Sequence, residues 1–243
     1  AVIMFHQIYF NQHNSYIVSQ VKTYHSSFLL KQRIVSCTEC QRLVEYLEGH
    51  RKSNPDWWCR PVPGFGDPGA RLLILGLAPG LKGANRTGRP FTGDSAGIWL
   101  YRILYEKGLS NRPDSERGRD GLGLSNVYIA NAVKCVPPGN KPSGPEVSNC
   151  RPHLEAELKK LSKVRVVLCL GKVSHDAYLA ARQSRESLRR ADFPFGHGVV
   201  HQLPSKPVYL VDSYHPSRLN TNTGRLTWEM WDEALSKALK LAE

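Results

Sequence analysis

Four short apolar runs recur along the chain, each with the length and composition of a buried strand. They occupy residues 71–76, 126–133, 164–170 and 208–213. Helices are predicted from Asp94 or Ser95 to Gly108 and over residues 145–161, 172–182 and 224–242. Strands that alternate with helices are typical of a mostly parallel sheet with helices on both faces. The sequence therefore predicts an α/β fold.

Three of the predicted strands are followed by loops rich in small and polar residues. Residues 76–80 leave the first strand, residues 132–138 leave the second and residues 215–220 leave the last. In a parallel sheet the carboxyl ends of the strands share one edge, and ligands bind in the crevice outside that edge. We therefore expect these three loops to form one functional site.

The excess of basic over acidic residues indicates which kind of partner the chain binds. The chain has 243 residues, 33 Lys and Arg against 21 Asp and Glu, and a formal net charge of +12. Such a surplus attracts polyanions. Because no basic amphipathic helix with a broad apolar face is evident, nucleic acid is favoured over a membrane surface. No apolar run has the length of a membrane span, and the pattern of a signal peptide is missing, so a cytoplasmic protein is expected.

The length suits one domain, which we assign to residues 31–243. Residues 1–30 carry scattered His, Asn, Gln and Tyr without clear periodicity, so they are predicted to be an N-terminal extension. A monomer is expected. A sliding clamp is conceivable as a partner, although nothing in the residues indicates it.

Four of the six cysteines have a spacing that suits a metal centre. Cys37 and Cys40 form a CxxC pair, and Cys135 and Cys150 lie much later in the chain. Four thiolates suit either structural zinc or a [4Fe-4S] cluster, and spacing alone does not separate the two. Unrelated buried thiols are the alternative, and we prefer it for Cys59 and Cys169.

Several motifs together resemble family 5 (type B) uracil-DNA glycosylases. The matching stretch runs from about residue 34 to the C-terminus and contains CTECQRLVEY, RPVPGFGDPGARLLILGLAPG, GANRTGRPFTGDSAG, NAVKCVPPGNKP, FGHG and HPSRLNTNTGRLT. The resemblance implies a four-stranded parallel sheet and a [4Fe-4S] cluster on Cys37, Cys40, Cys135 and Cys150. It also implies removal of uracil from DNA by a monofunctional hydrolase, which leaves an abasic site and initiates base excision repair.

Two other classes of function remain. A family 4 glycosylase shares the cluster but carries an acidic residue where this chain has Ala78. A metal-bearing module that binds nucleic acid without catalysis is the second alternative. An assay for abasic sites in a uracil-containing oligonucleotide separates the enzymes from the binding module.

A glycosylase must extrude the nucleotide and stabilise the charge that develops as the glycosidic bond breaks. His215 is the best donor toward the departing base, because preorganised donors matter most where charge develops. Asn85 and Asp94 are candidates for positioning water, although Asp94 can also simply cap its helix. His197 is assigned a supporting role. A lone His is more often structural, but the setting of His215 between converging loops favours function.

The base itself requires a stacking surface and a polar edge. The resemblance gives these roles to Phe91, whose alternative is a core aromatic, and to Asn131, whose alternative is a turn or cap residue. The first motif, Gly76, Ala78, Pro79 and Gly80, is expected to wall the pocket. We expect His215 to face this pocket across a cavity wide enough for one base. The methyl group of Ala78 cannot activate water, and the resemblance implies a roomier pocket that also accepts hypoxanthine and other deaminated bases.

Residues 217–225 are predicted to form the loop that enters DNA. Phosphate contacts are assigned to Ser217, Asn222, Thr223 and Arg225, and Arg218 and Leu219 are expected to fill the gap left by the flipped nucleotide. A polar surface turn is the alternative. Lys82, Arg86 and Arg89 add positive charge around the first motif, although such charges are often only solvated surface.

Overall fold

The computed structural model describes residues 28–184, 186–204 and 208–243, and within these six strands form one sheet. The four central strands are parallel: β2 (Leu72–Gly76), β3 (Val127–Asn131), β4 (Val166–Leu170) and β6 (Tyr209–Ser213). Two antiparallel strands cover the edges, β1 (Phe65–Gly66) beside β3 and β5 (Val200–Gln202) beside β6. The predicted α/β fold with four parallel strands is confirmed, and the two edge strands are additional.

The predicted helices near residues 95–108, 145–161 and 172–182 are confirmed to within a few residues, whereas the helices over residues 28–35, 41–53 and 84–87 are additional. The helices are α1 (Gln41–Ser53), α2 (Ala84–Thr87), α3 (Ser95–Glu106), α4 (Gly144–Lys160), α5 (Lys172–Gln183), α6 (Arg218–Asn222) and α7 (Trp228–Ala242), and residues 28–35 are also helical. Asp94 caps α3 by accepting a hydrogen bond from the Gly97 amide at 2.9 Å. This contact explains why the helix begins where the sequence predicts it.

The C-terminal region corrects two predictions. The last helix does not span residues 224–242, because Gly224 has a φ of 69° and Thr227 caps α7 at Trp228. The segment predicted as a DNA-entering loop over residues 217–225 begins with the short helix α6. Short polar helices of this kind lack the apolar periodicity that reveals longer ones.

Alternate residues of each central strand face opposite layers of helices. Leu72 and Ile74 of β2 belong to a core with residues of α3 and α7, including Leu100 and Trp231. Their neighbours Leu73 and Leu75 belong to a second core with residues of α4 and α5, including Leu154 and Tyr178. The helices therefore cover both faces of the sheet, as predicted.

The predicted N-terminal extension lies outside the described residues except for residues 28–30, which belong to the helical segment that ends at residue 35. None of the described helices combines the length and the apolar character that crossing a bilayer requires.

Candidate active site

The ends of β2 and β3 place a glycine beside a buried amide. Gly76 and Asn131 are register partners in the last rung of the two strands. A Cβ at Gly76 would lie 2.5 Å from Asn131 Oδ1 and 2.6 Å from Phe91 Cζ, so only glycine fits there. Three predicted pocket residues are therefore in close contact.

Asn131 carries a polar atom without a partner. The side chain is 2% exposed, and within the described part of the chain no group hydrogen-bonds its Oδ1. An unsatisfied buried acceptor costs about 1–3 kcal/mol. Such an atom in a native fold calls for an explanation, and a polar ligand edge supplies one.

Phe91 lies against His215 in a strained backbone conformation. The two rings stack at 5.7 Å between centroids with an interplanar angle of 26°. Phe91 has a φ of 52°, which is unusual for a bulky residue and costs of order 1–3 kcal/mol. Gly97 allows this geometry, because a Cβ there would lie 1.9 Å from the Phe91 carbonyl oxygen. The loop is thus shaped to present the Phe91 ring at this place.

The same stack corrects the expected cavity. A base sandwiched between two rings needs about 7 Å between them, since each contact takes about 3.5 Å. The Phe91 and His215 centroids are only 5.7 Å apart, so the two rings close on each other and not across a base-wide gap. A base can stack between them only if the turn that carries His215 moves outward.

His215 follows β6 and is held through its main chain. Its carbonyl oxygen accepts hydrogen bonds from Asn220 Nδ2 and from the Ser217 amide, both at 2.8 Å. Burial lowers the pKa of His215 to about 4. The imidazole is therefore neutral near pH 7, and one ring nitrogen carries a proton that it can donate.

His197 contacts Tyr214, the residue that precedes His215. Its Nδ1 accepts a hydrogen bond from the Tyr214 amide at 3.1 Å, and its ring stacks on Tyr214 at 5.0 Å between centroids. The loop that carries His197 is fixed to β6 through Asp212, whose Oδ2 accepts a hydrogen bond from the Gly196 amide at 3.3 Å and whose carbonyl oxygen accepts one from the Gly198 amide at 2.8 Å. These contacts fit the supporting role predicted for His197.

Asp94 combines a structural contact with a second oxygen near the first motif. Asp94 Oδ1 caps α3. Asp94 Oδ2 lies beside Gly80 and Gly83, where an added Cβ would be 3.1 Å or 2.2 Å from this oxygen. Burial raises the pKa of Asp94. The prediction that Asp94 caps its helix is confirmed. The cap uses only Oδ1, so Oδ2 can accept a hydrogen bond from another group.

Asn85 is fully buried in α2. Its Nδ2 donates to Cys59 Sγ at 3.6 Å, and Oδ1 has no hydrogen-bond partner among the described residues. These contacts tie Asn85 to Cys59 and do not bring it to Phe91 or Asn131, so its water-positioning role stays a prediction.

Ala78 packs against a small apolar cluster next to the first motif. It packs with the apolar shell around Cys40, Cys135 and Val147, while Pro79 is buried beside it. Its place in the wall of the base pocket stays a prediction.

Arg89 does not belong to the exposed positive surface that the sequence suggested. It is 5% exposed, and its guanidinium binds Asp120 with both nitrogens, at 2.9 and 2.6 Å. The same side chain also donates to Ser115 Oγ and Thr92 Oγ1. Arg89 therefore fixes the loop of residues 112–120 beneath the strained Phe91, whereas Lys82 is exposed as predicted. Sequence reasoning missed Asp120 and Ser115, which lie in an irregular segment without periodicity.

Replacing Arg89 with Met should destabilise the fold by about 3–5 kcal/mol, because Asp120 would remain as a nearly buried charge without its partner. Urea denaturation measures this loss, and Arg86→Met, a change at a partly exposed arginine of the preceding helix α2, should cost less than about 1 kcal/mol. Since Arg89 lowers the pKa of Asp120 to about 2, the contribution is present above pH 4 and is lost as pH falls toward 2. Equal losses in the two variants would contradict this assignment.

The four predicted metal ligands converge. Cys37, Cys40, Cys135 and Cys150 line one cavity of about 20 Å³ between α1, α4 and the segment after β3. The Lys134 amide donates to Cys150 Sγ at 3.2 Å, and Asn149 Nδ2 donates to Cys40 Sγ at 3.8 Å. Within the described residues, no three His, Cys, Asp or Glu side chains are grouped to hold a single metal ion. Cys59 and Cys169 are buried elsewhere, as predicted.

The two most deeply buried of these thiols, Cys135 and Cys150, resist ionisation. Burial, followed by the neighbouring cysteines, raises the pKa of Cys135, and burial raises the pKa of Cys150 to about 11. Thiolates would be stable in this cavity only beside a positively charged group. Without such a group, the Cys135 and Cys150 thiols stay protonated near pH 7.

The predicted DNA-binding residues lie on and after α6. Leu219 is 73% exposed, and Arg218, Asn222 and Thr223 are also exposed. Arg225 packs over the Tyr214 ring at 4.6 Å, and Thr223 Oγ1 donates to the Leu219 carbonyl oxygen at 2.6 Å. The exposed residues thus surround the turn that bears His215.

Comparisons with known proteins identify the family of the chain. A model of the uracil DNA glycosylase superfamily matches residues 63–239. The type-5 uracil-DNA glycosylase of Thermus thermophilus is 48% identical over 216 residues, which cover 87% of this chain and 96% of the relative. That of Pyrobaculum aerophilum is 43% identical over 210 residues, 85% of this chain and 89% of the relative. A type-4 uracil-DNA glycosylase of Sulfurisphaera tokodaii is 27% identical over 189 residues, 77% of this chain and 73% of the relative. The chain therefore belongs to the uracil DNA glycosylase superfamily and, within it, to the type-5 uracil-DNA glycosylases.

Proposed function

We propose that this chain excises uracil from DNA by hydrolysing the N-glycosidic bond, which leaves an abasic site and starts base excision repair. The observation that carries the proposal is the unpartnered Oδ1 of buried Asn131 beside the Phe91 ring, with Gly76 leaving the space between them. A flat aromatic face and a free amide edge are what an extruded base requires. The substrate would be chromosomal DNA of a prokaryotic cytoplasm.

The chemistry follows from charge development. As the bond to the sugar breaks, negative charge accumulates on the base oxygen next to the glycosidic nitrogen. A neutral His215 donates a hydrogen bond to that oxygen without having to lose a charge of its own. Asp94 is assigned to the water that attacks the sugar from the opposite face, because its raised pKa reflects a desolvated carboxylate that accepts protons readily.

DNA is held by the surface around α6. Ser217 begins this helix without using its side chain as a cap, so its hydroxyl is available to a phosphate. Leu219, the most exposed of the large apolar side chains described, is assigned to the gap left by the flipped nucleotide. Arg218, Asn222, Thr223, Arg225 and Lys82 supply polar and positive contacts to the backbone.

An excision assay across bases tests the proposal. Duplexes that carry uracil, hypoxanthine, xanthine or hydroxymethyluracil are incubated with the protein and treated with alkali, which cleaves at abasic sites. We expect cleavage at uracil and, because the pocket is proposed to be tolerant, at hypoxanthine as well. Retention of DNA with intact bases would support a binding module without catalysis, and cleavage at uracil alone would contradict the tolerant pocket.

We also propose that the four cysteines hold a [4Fe-4S] cluster. Four sulfurs around a single zinc ion must lie about 2.3 Å from one point. Among the described residues no three His, Cys, Asp or Glu side chains are grouped to hold a single metal ion, which favours the larger group over zinc. Such a cluster would hold α1, α4 and the end of β3 together, and no step of the base chemistry needs it.

Replacing Cys135 with Ser should remove the visible absorption of the cluster and lower the thermal midpoint by about 10 °C, since binding of the group contributes a few kcal/mol to folding. Iron and sulfide analysis and thermal denaturation measure both effects. Cys169→Ala is the matched control, because that thiol is buried in β4 away from the cavity and should leave the iron content unchanged. Stoichiometric zinc in a colourless wild-type protein would overturn the cluster.

A further inference from the structure

Lys134 is a buried charge that the proposed chemistry does not use. It lies three residues after the end of β3 and is 1% exposed. Its Nζ donates to the Asn131 main-chain carbonyl at 2.7 Å and forms an ion pair with Glu157 of α4, which is 2% exposed. The ammonium group is therefore shared between the residue assigned to the base and a helix on the sheet face.

Glu157 is itself held from a second side. Its Oε1 accepts a hydrogen bond from the Gly64 amide at 2.8 Å. A Cβ at Gly64 would lie 2.3 Å from Tyr128 Cε1 and 2.8 Å from Glu157 Oε1, so the segment passes as closely as glycine allows. The carboxylate has little freedom to move, and neither has the ammonium group paired with it.

The main chain of Lys134 extends the same connection to the cysteine cavity. Its amide donates to Cys150 Sγ at 3.2 Å, and its carbonyl oxygen accepts from the Val62 amide at 2.7 Å. One residue thus contacts the carboxyl end of β3, α4 and the proposed ligand Cys150.

Stability alone does not explain this arrangement. Two charges taken out of water lose hydration energy that their mutual attraction only partly restores, so an apolar pair of similar volume is often as stable. The side chains of this buried pair also contact the Asn131 carbonyl oxygen and the Gly64 amide, so they fix the position of the Asn131 main chain. The same residue carries the Oδ1 that has no partner among the described residues.

We propose that Lys134 and Glu157 are positioning residues that hold Asn131 in the orientation needed to bind the extruded base. The inference rests on the proposed function, since it assigns the pair to the same pocket. Placement errors of about 1 Å at a reacting group can cost about 100-fold in rate. A fixed main-chain carbonyl keeps the Asn131 side chain within that tolerance.

The double variant Lys134→Met/Glu157→Gln tests the proposal without leaving an unpaired buried charge. Gln at 157 can still accept from the Gly64 amide, and Met replaces the apolar stem of Lys134. We expect the single-turnover rate of uracil excision to fall about tenfold or more, with duplex affinity and iron content unchanged. The exposed pair Lys172 and Asp176 of α5 provides the control Lys172→Met/Asp176→Asn, which should leave the rate unchanged.

Coupling to Asn131 distinguishes positioning from general support of the fold. In an Asn131→Ala background the double variant should cause little further loss, because the group that it positions is already gone. Additive losses in the two backgrounds, a rate within twofold of wild type, or loss of iron would each overturn the inference.

If the double variant folds poorly by circular dichroism, Glu157→Asp provides a second test, because it keeps both charges but shortens the carboxylate side chain. Its loss of rate should be smaller and should show the same coupling to Asn131. A wild-type protein that does not cleave at uracil would refute the proposed function itself, and a fully active Asn131→Ala would overturn the positioning role alone.

Discussion

Replacing His215 with Asn is expected to slow single-turnover excision of uracil by about 100- to 1000-fold, the usual loss when one donor to a developing negative charge is removed. Binding of the uracil-containing duplex should change by less than about twofold, because phosphate contacts from the α6 region dominate affinity. Asn is of similar polarity but shorter than His, so its amide cannot occupy the same place relative to the base. Rapid-quench kinetics at saturating enzyme and fluorescence anisotropy measure the two quantities.

A matched histidine lies on α1, far along the chain from the sheet edge. His50 contacts Tyr46 ring to edge at 4.5 Å, and His50→Asn should leave the excision rate unchanged. If His215→Asn weakens duplex binding as much as it slows excision, the side chain holds DNA and does not act on the departing base.

The pH dependence gives a second view of the same group. Since burial lowers the pKa of His215 to about 4, the imidazole is neutral in the free enzyme from pH 5 upward. The pH profile of the excision rate should therefore contain no ionisation of His215 near pH 6.5, and His215→Asn should leave the shape of the profile in this range unchanged. The unfolded chain binds this proton below about pH 6.5 and the folded chain does not, so acidification from pH 6.5 to 4 should destabilise the fold through this residue.

The parts of the fold that the sequence predicted are those set by periodicity. The four central strands are continuous apolar runs because both faces of a parallel sheet are covered, and that pattern is visible without coordinates. Strands β1 and β5 have two and three residues, which is too short for any alternation to be recognised. The convergence of Gly76, Asn131 and His215 also followed from the sequence, since the carboxyl ends of parallel strands share one edge.

The errors arise where a residue's partner is distant in sequence. The sequence places Arg89 among the positive charges around the first motif, because nothing near it indicates its partner Asp120, 31 residues along the chain. It gives no sign of the ion pair of Lys134 for the same reason, since Glu157 lies 23 residues away on a helix of the sheet face. The closed stack of Phe91 on His215 depends on a left-handed residue that no local motif requires. Tertiary contacts, and not local propensity, decide each of these features.

A further large effect is expected at Asp94, where one substitution can separate the capping contact from catalysis. Asn accepts the Gly97 amide hydrogen bond as well as Asp does, so Asp94→Asn should preserve α3 and the thermal midpoint. It removes the desolvated negative charge beside Gly80 and Gly83, and the single-turnover rate should fall about 100-fold if that charge activates water.

The pH profile and two further variants complete the test of Asp94. Burial raises the pKa of this carboxyl, so the wild-type rate should fall on acidification at a pH above the ordinary carboxyl range, and Asp94→Asn should lack this limb. Asp94→Ala should lose the rate together with about 1 kcal/mol of stability, because the cap is removed as well. Asp176→Asn, a change at an exposed carboxylate of α5, is the control and should alter neither. An Asp94→Asn protein that retains the wild-type rate would show that the carboxylate only caps its helix, and the attacking water would then have to be held by another group.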